Sequence, residues 1–205
     1  MKHVFTEEDA DWWWIRNEHK VGLFPFGERD PVLDIVYTLQ LRPENALEIG
    51  CANGWRLREL NREYGTKIAG TELSKRARNR RESVIKKARQ PFSLFDFKTD
   101  TFDTVILGFC MYLMNRDDLF MVAREVDRVL QDRGYVIIHD FIEVAPQSFV
   151  YKHNPKLRSY KMDYAKMFLW NPAYRALGNT PKAQDGSMVR VLQKSVNEAW
   201  PRGGE

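Results

Sequence analysis

Two glycines and one acid define the chemistry open to this chain. The segment Glu48-Ile49-Gly50-Cys51-Ala52-Asn53-Gly54 ends one short apolar run, and Glu72 ends the next, 22 residues after Gly50. Glycine lets a backbone turn tightly and approach a ligand, and an acid about 20 residues further on can accept both hydroxyl protons of a ribose. Together they describe a nucleoside site. A nicotinamide fingerprint, G-x-G-x-x-G from Gly50, needs glycine at positions 52 and 55, where the chain has Ala52 and Trp55. That class is excluded.

Such a site needs strands to carry its loops. Asp30 to Leu41 has apolar residues at helical spacing and is broken by Arg42-Pro43-Glu44-Asn45. Ala46 to Ile49 reads as a strand, Trp55 to Tyr64 as a helix and Lys67 to Thr71 as a second strand, which makes a βαβ unit. Ser74 is placed to cap the basic helix that follows. Thr104 to Leu107 and Gly134 to His139 read as fully buried strands around an amphipathic helix over Arg116 to Leu130, and Met188 to Leu192 as a late strand. Alternation of this kind predicts a doubly wound, mostly parallel α/β sheet with helices on both faces.

The motif at Glu48 to Gly54 resembles motif I of the class I S-adenosylmethionine-dependent methyltransferases, with Ala52 in place of the middle glycine. Phe102-Asp103-Thr104-Val105-Ile106 is similar to the family's strand leading to the methyl-transfer site, and Val129 to Ile138 to its late glycine-turn strand. The resemblance covers roughly residues 30 to 140 and implies a Rossmann-like, seven-stranded sheet with an antiparallel last strand. It implies S-adenosylmethionine as cofactor, held by Glu72 at the ribose, by Glu48 and the Gly50-Cys51-Ala52-Asn53-Gly54 turn at the methionine and ribose, and by Gly108-Phe109 beside the sulfonium. Counting back from Phe102 puts Phe92 against the adenine. The domain expectation is one methyltransferase unit over 1–205. Residues 1–29 form an aromatic lid or helix, 30–145 the cofactor-binding core, and 146–205 a tail that finishes the sheet and shapes the acceptor pocket.

Methyl transfer needs an in-line lone pair, and fixing that geometry alone supplies about 7–11 kcal/mol. A hydroxyl acceptor also needs a base. His139 and Asp140 close the Gly134 strand, and His153 and Tyr164 lie in the tail, so these are the catalytic candidates, each with a structural role as its alternative. Three adjacent Trp, 12 to 14, cannot share one helix face; Trp14 is assigned to the lid over the cofactor. Asn171-Pro172-Ala173-Tyr174 lies too late in the chain for an amine-gripping motif and reads as a turn.

Composition sets the remaining bounds. With 43% hydrophobic and 29% charged residues the chain can bury a core, and its formal net charge is +4. Lys75 to Arg89 holds eight Lys/Arg against the single acid Glu82. That run reads as a solvated face, with phosphate binding as its alternative. Cys51 and Cys110 lack zinc spacing, so no metal is expected and a reducing, cytoplasmic setting is. No apolar run is long enough to span a membrane. The reading is methyl transfer, on O or N, to a small molecule such as a sugar or specialised metabolite. The alternatives are an RNA methyltransferase using the basic run, or a non-catalytic relative that keeps the cofactor pocket.

Overall fold

The computed structural model describes residues 4–23, 29–80, 85–87 and 97–199. Among the described residues, seven strands form one sheet in the order β3-β2-β1-β4-β5-β9-β8. They are β1 (Asn45–Ile49), β2 (Lys67–Glu72), β3 (Ile85–Lys87), β4 (Phe102–Gly108), β5 (Leu130–Phe141), β8 (Tyr174–Asn179) and β9 (Ser187–Lys194). The first five run parallel, and β9 lies antiparallel between β5 and β8. A separate hairpin, β6 (Gln147–Val150) with β7 (Arg158–Lys161), stands beside the sheet.

Neighbouring residues on one strand enter different cores, as a sheet covered on both faces requires. Val105 and Leu107 of β4, with Val136 and Ile138 of β5, pack on one face with α5 (Leu119–Val129) and α6 (Lys166–Leu169). Ile106 and Ile137 pack on the other with α2 (Pro31–Thr38) and α3 (Trp55–Tyr64). Helix α5 buries Leu119, Val122, Val126 and Val129, one stripe at helical spacing.

Local chemistry sets the ends of these elements. Asp30 caps α2 by accepting from the N–H groups of Val32 and Leu33, with Pro31 in the first turn. Gly54 and Gly65 bracket α3 in left-handed conformations. Ser74 caps α4 (Lys75–Arg78) through the Ala77 N–H, but this helix has only four residues. The segment expected to open α5 at Arg116 is a separate 3-10 turn, and β5 starts at Leu130 rather than Gly134. Asn171 makes a turn into β8, accepting from Ala173 and Tyr174.

Ahead of the sheet, α1 (Glu7–Asn17) is capped at Thr6 by a capping box with Asp9. It lies against α4, fastened by charge: Arg78 pairs with Glu7 at 3.1 Å and Arg80 with Glu18 at 3.6 Å, while Asp11 accepts from the Ser74 hydroxyl and the Arg76 N–H. Ala10 and Trp14 pack into small clusters apart from the two main cores, with Leu73 and with Ala52 and Ala77 respectively. No helix among the described residues is long and apolar enough to cross a membrane.

Candidate active site

Two adjoining cavities open at the carboxyl ends of the parallel strands, one lined by Gly50, Glu72, Gly108 and Phe109, the other by Glu48, Gly50, Arg56, Gly108, Phe109 and His139. The second holds about 250 Å3. Trp13 of α1 walls both. The three tryptophans divide as one helix geometry dictates: Trp12 is 55% exposed, Trp13 faces the cavities and Trp14 is buried on Ala52 and Ala77. Trp14 therefore supports the turn from behind, and Trp13 is the residue that meets the cavity.

The turn itself is tight. Gly50 has φ +73°, and a Cβ there would lie 2.8 Å from Cys110 Cβ, so only glycine fits. Ala52 also sits in the left-handed region, at φ +51°, and its N–H donates to Glu72 Oε2 at 2.8 Å. The Ser74 N–H donates to the other oxygen at 2.7 Å. Burial pushes the Glu72 carboxyl up to about 7, against the downward pull of the Ser74, Ala52 and Leu73 backbone N–H groups. Asn53 caps the start of α3 through the Trp55 N–H, and with Gly54 it shapes the loop without lining either cavity.

Beneath the second cavity lies a charge cluster. Arg56, from the first turn of α3, grips Asp30 with two hydrogen bonds and reaches Glu48 with a third. All three are buried. Burial pushes the Glu48 carboxyl up more than Arg56 pulls it down; for Asp30, the charge and hydrogen bonds of Arg56 outweigh burial and hold it below the usual range. Burial opposes the Arg56 charge, but the two carboxylates raise its pKa, so it stays a cation. Gly108 makes the contact possible, since a Cβ there would lie 2.9 Å from Arg56 Nη1 and 3.1 Å from Glu48 Oε1.

Two buried polar atoms beside this cluster, Glu48 Oε2 and His139 Nδ1, have no hydrogen-bond partner among the described residues. A buried polar atom without a partner costs about 1–3 kcal/mol, so a ligand able to bond both atoms would relieve that cost. Burial and then the Arg56 charge lower His139 to about 4, which keeps the imidazole neutral. Its ring lies 4.3 Å from that of Phe109, whose φ of +48° is a strained conformation for an aromatic residue and turns the ring toward both cavities.

The other catalytic candidates fall outside the cavities. Asp140 is fully buried, and its oxygens accept from the N–H groups of Met111, Tyr112 and Phe141, so it pins the 111–113 turn. Tyr164 is wholly in the core and donates its hydroxyl to the Tyr160 carbonyl at 2.6 Å. His153 is exposed and stacks edge-on against Tyr151. Phe92 lies outside the described residues. Sequence reading missed Arg56, Asp30 and Trp13. Only Trp13 left a signal, since Ala10, Trp13 and Trp14 are spaced for one helix side.

Residues 47–138 match the family model for a methyltransferase domain. Three solved structures share the fold. The 1,6-didemethyltoxoflavin-N1-methyltransferase of Burkholderia thailandensis, with 1,6-didemethyltoxoflavin and S-adenosylhomocysteine bound, superposes at a TM-score of 0.69 with 15% identity, over 92% of this chain and 87% of that one. A SAM dependent methyltransferase from Archaeoglobus fulgidus gives 0.63 with 12% identity over 90% and 100%. Another from Aquifex aeolicus gives 0.58 with 12% identity over 80% and 89%. No curated protein matches the chain. The sheet order and the match over its core agree: residues 47–138 carry a methyltransferase domain, on a Rossmann-like fold shared with solved S-adenosylmethionine-dependent methyltransferases.

Proposed function

We propose that the chain is an S-adenosylmethionine-dependent methyltransferase of class I and that it acts on a small-molecule acceptor. The observation that carries the reading is the position of α1, which roofs the strand ends with Trp13 and leaves concavities of small-molecule size. The Burkholderia thailandensis enzyme, similar in fold, is named for a small heterocyclic acceptor.

When bound, the cofactor supplies an electrophilic methyl group on a sulfonium. The residues present suit it. Glu72 accepts from the ribose hydroxyls, and Gly50 and Cys51 let the backbone approach. Glu48 Oε2 accepts from the methionyl ammonium, which answers its lack of a partner. Gly108 and Phe109 flank the sulfonium, and Trp13 keeps water off it. His139 is neutral and a weak base at about 4, so it accepts a hydrogen bond from the acceptor rather than stripping a proton of ordinary alcohol acidity. That favours acceptors with an acidic O–H or a nitrogen lone pair. Cys51 and Cys110 are buried, which suits a reducing compartment such as the cytoplasm.

The RNA alternative rests on the basic run. Two of its cations, Arg78 and Arg80, are spent on α1, which leaves fewer for phosphates. Incubation with methyl-labelled cofactor and pools of metabolites, RNA and protein tests the choice. Label in small molecules is expected; label only in macromolecules overturns the proposal, and cofactor binding without any transfer supports the non-catalytic reading instead.

A further inference from the structure

Trp13 has a third open side. Between α1, the 111–113 turn, the end of β5 and the β6–β7 hairpin lies a cleft of about 450 Å3. Trp13, Tyr112, Phe141, Phe149 and Tyr151 form its aromatic walls. Tyr112 and Phe141 meet edge to face at 5.1 Å, and the hairpin leaves Phe149 44% exposed. Tyr112 and Tyr151 are buried behind it, so a packed aromatic wall lines an open concavity, which is the form of a ligand groove.

The cleft also has a sign. Lys161 Nζ lies 4.5 Å from the centre of the Phe141 ring and 5.7 Å from that of Phe149. Lys152 and His153 join it in the lining, and no Asp or Glu does among the described residues. Asp140, which feels the Lys161 charge, has its oxygens taken by backbone N–H groups below the surface.

We propose that this cleft seats the acceptor, and that the acceptor is a planar aromatic or heteroaromatic molecule bearing an anionic group, its ring against Phe141 and Phe149 and its anion at Lys161. The inference rests on the methyltransferase reading above. The anion is a handle rather than the methylated atom, because Lys161 borders the cleft and neither cavity beside Gly50, whereas Trp13 borders all three. Phe109, which borders both cavities, has its ring 5.2 Å from Phe141, so the aromatic wall is continuous from the sulfonium side to the cleft. In the transfer, a lone pair at the acceptor's far edge forms the bond to the methyl carbon as the carbon–sulfur bond breaks. The sulfur keeps that electron pair as a thioether, and any proton on the nucleophile leaves to water.

Calorimetric titration of the full chain with 2-naphthoate and quinoline-2-carboxylate, each against its carboxamide, reads the cleft without needing transfer. The acids are expected to bind about tenfold tighter than the amides. Lys161→Met is expected to abolish that preference while leaving S-adenosylhomocysteine affinity unchanged, and Phe149→Ala to weaken acid and amide alike. Equal binding of acid and amide, or a preference that survives Lys161→Met, overturns the proposal. Failure of the unmodified chain to bind S-adenosylhomocysteine overturns the methyltransferase reading instead, and does so whatever the naphthoate result.

Discussion

Asp30 and Arg56 meet side-on, Nε donating to Oδ1 at 2.9 Å and Nη2 to Oδ2 at 3.0 Å, which ties the cap of α2 to the first turn of α3. Replacing Arg56 with Met strands two buried carboxylates, Asp30 and Glu48. Loss of one partner from a buried pair costs about 3–5 kcal/mol, so urea unfolding of Arg56→Met should show a loss of that size. Arg56→Lys should recover only part of it, since lysine keeps the charge without the fork. A Met variant as stable as the parent would remove the cluster from any structural role.

Glu72 accepts from Ala52 and Ser74 and is the proposed ribose acceptor. If it holds the ribose, Glu72→Gln loses a charge-assisted hydrogen bond of about 1.5–3 kcal/mol, or roughly 10- to 150-fold in S-adenosylhomocysteine affinity. Calorimetry checks the affinity and circular dichroism the fold. Unchanged affinity would contradict the ribose assignment.

The same carboxyl gives opposite pH trends for binding and stability. Its folded value of about 7 lies above the unfolded 4.5, so the folded state holds the extra proton between them and stability falls as pH rises through that window. Asp140, raised by burial to about 7, acts in the same direction. His139, lowered from 6.5 to about 4, acts oppositely, but only below 6.5. Thermal melts of the ligand-free protein should therefore show stability falling as pH rises from 6.5 through about 7 and levelling above it. Cofactor-product affinity should rise by about tenfold per pH unit up to about 7 and then level, because the ribose needs the ionised form. A flat binding profile would reject this account.

Trp12 and Trp13 are adjacent and should behave differently. Trp13→Ala removes a wall of the cavities and should weaken S-adenosylhomocysteine by more than about 1 kcal/mol, or roughly fivefold. Trp12→Ala should leave it unchanged, its ring being largely in solvent. Equal effects would mean that α1 does not roof the site in solution.

Much of the sheet was legible because punctuation and periodicity agreed. Gly54 and Gly65 mark the ends of α3, and Val105-Ile106-Leu107 reads as a strand because each residue is buried on one face or the other. The hairpin and α6 were not legible: elements of four residues are too short to display a period. At the first cavity, Gly50 and Glu72 were visible as lining residues because a tight turn restricts residue type and an acid at a strand tip stands out. Arg56 was not, since an arginine in a polar helix reads as solvated, and its partners come from two other elements. Asp140 and Tyr164 stood out because a strand end and an aromatic tail suggest function; in the structure their hydrogen bonds go to the backbone.

The fastening of α1 sets how the pocket can exchange its contents. The helix is held by Glu7, Asp11 and Glu18 against residues that begin two positions beyond Glu72, and its apolar contacts are confined to small clusters outside both cores. Ionic ties secure that side of the roof, while hydrogen bonds from Trp13 to Tyr112, from Arg16 to Tyr151 and from Asn154 to Asp9 secure the other. Added salt should therefore loosen the α4 side of the roof and hasten release of S-adenosylhomocysteine, while leaving the sheet intact.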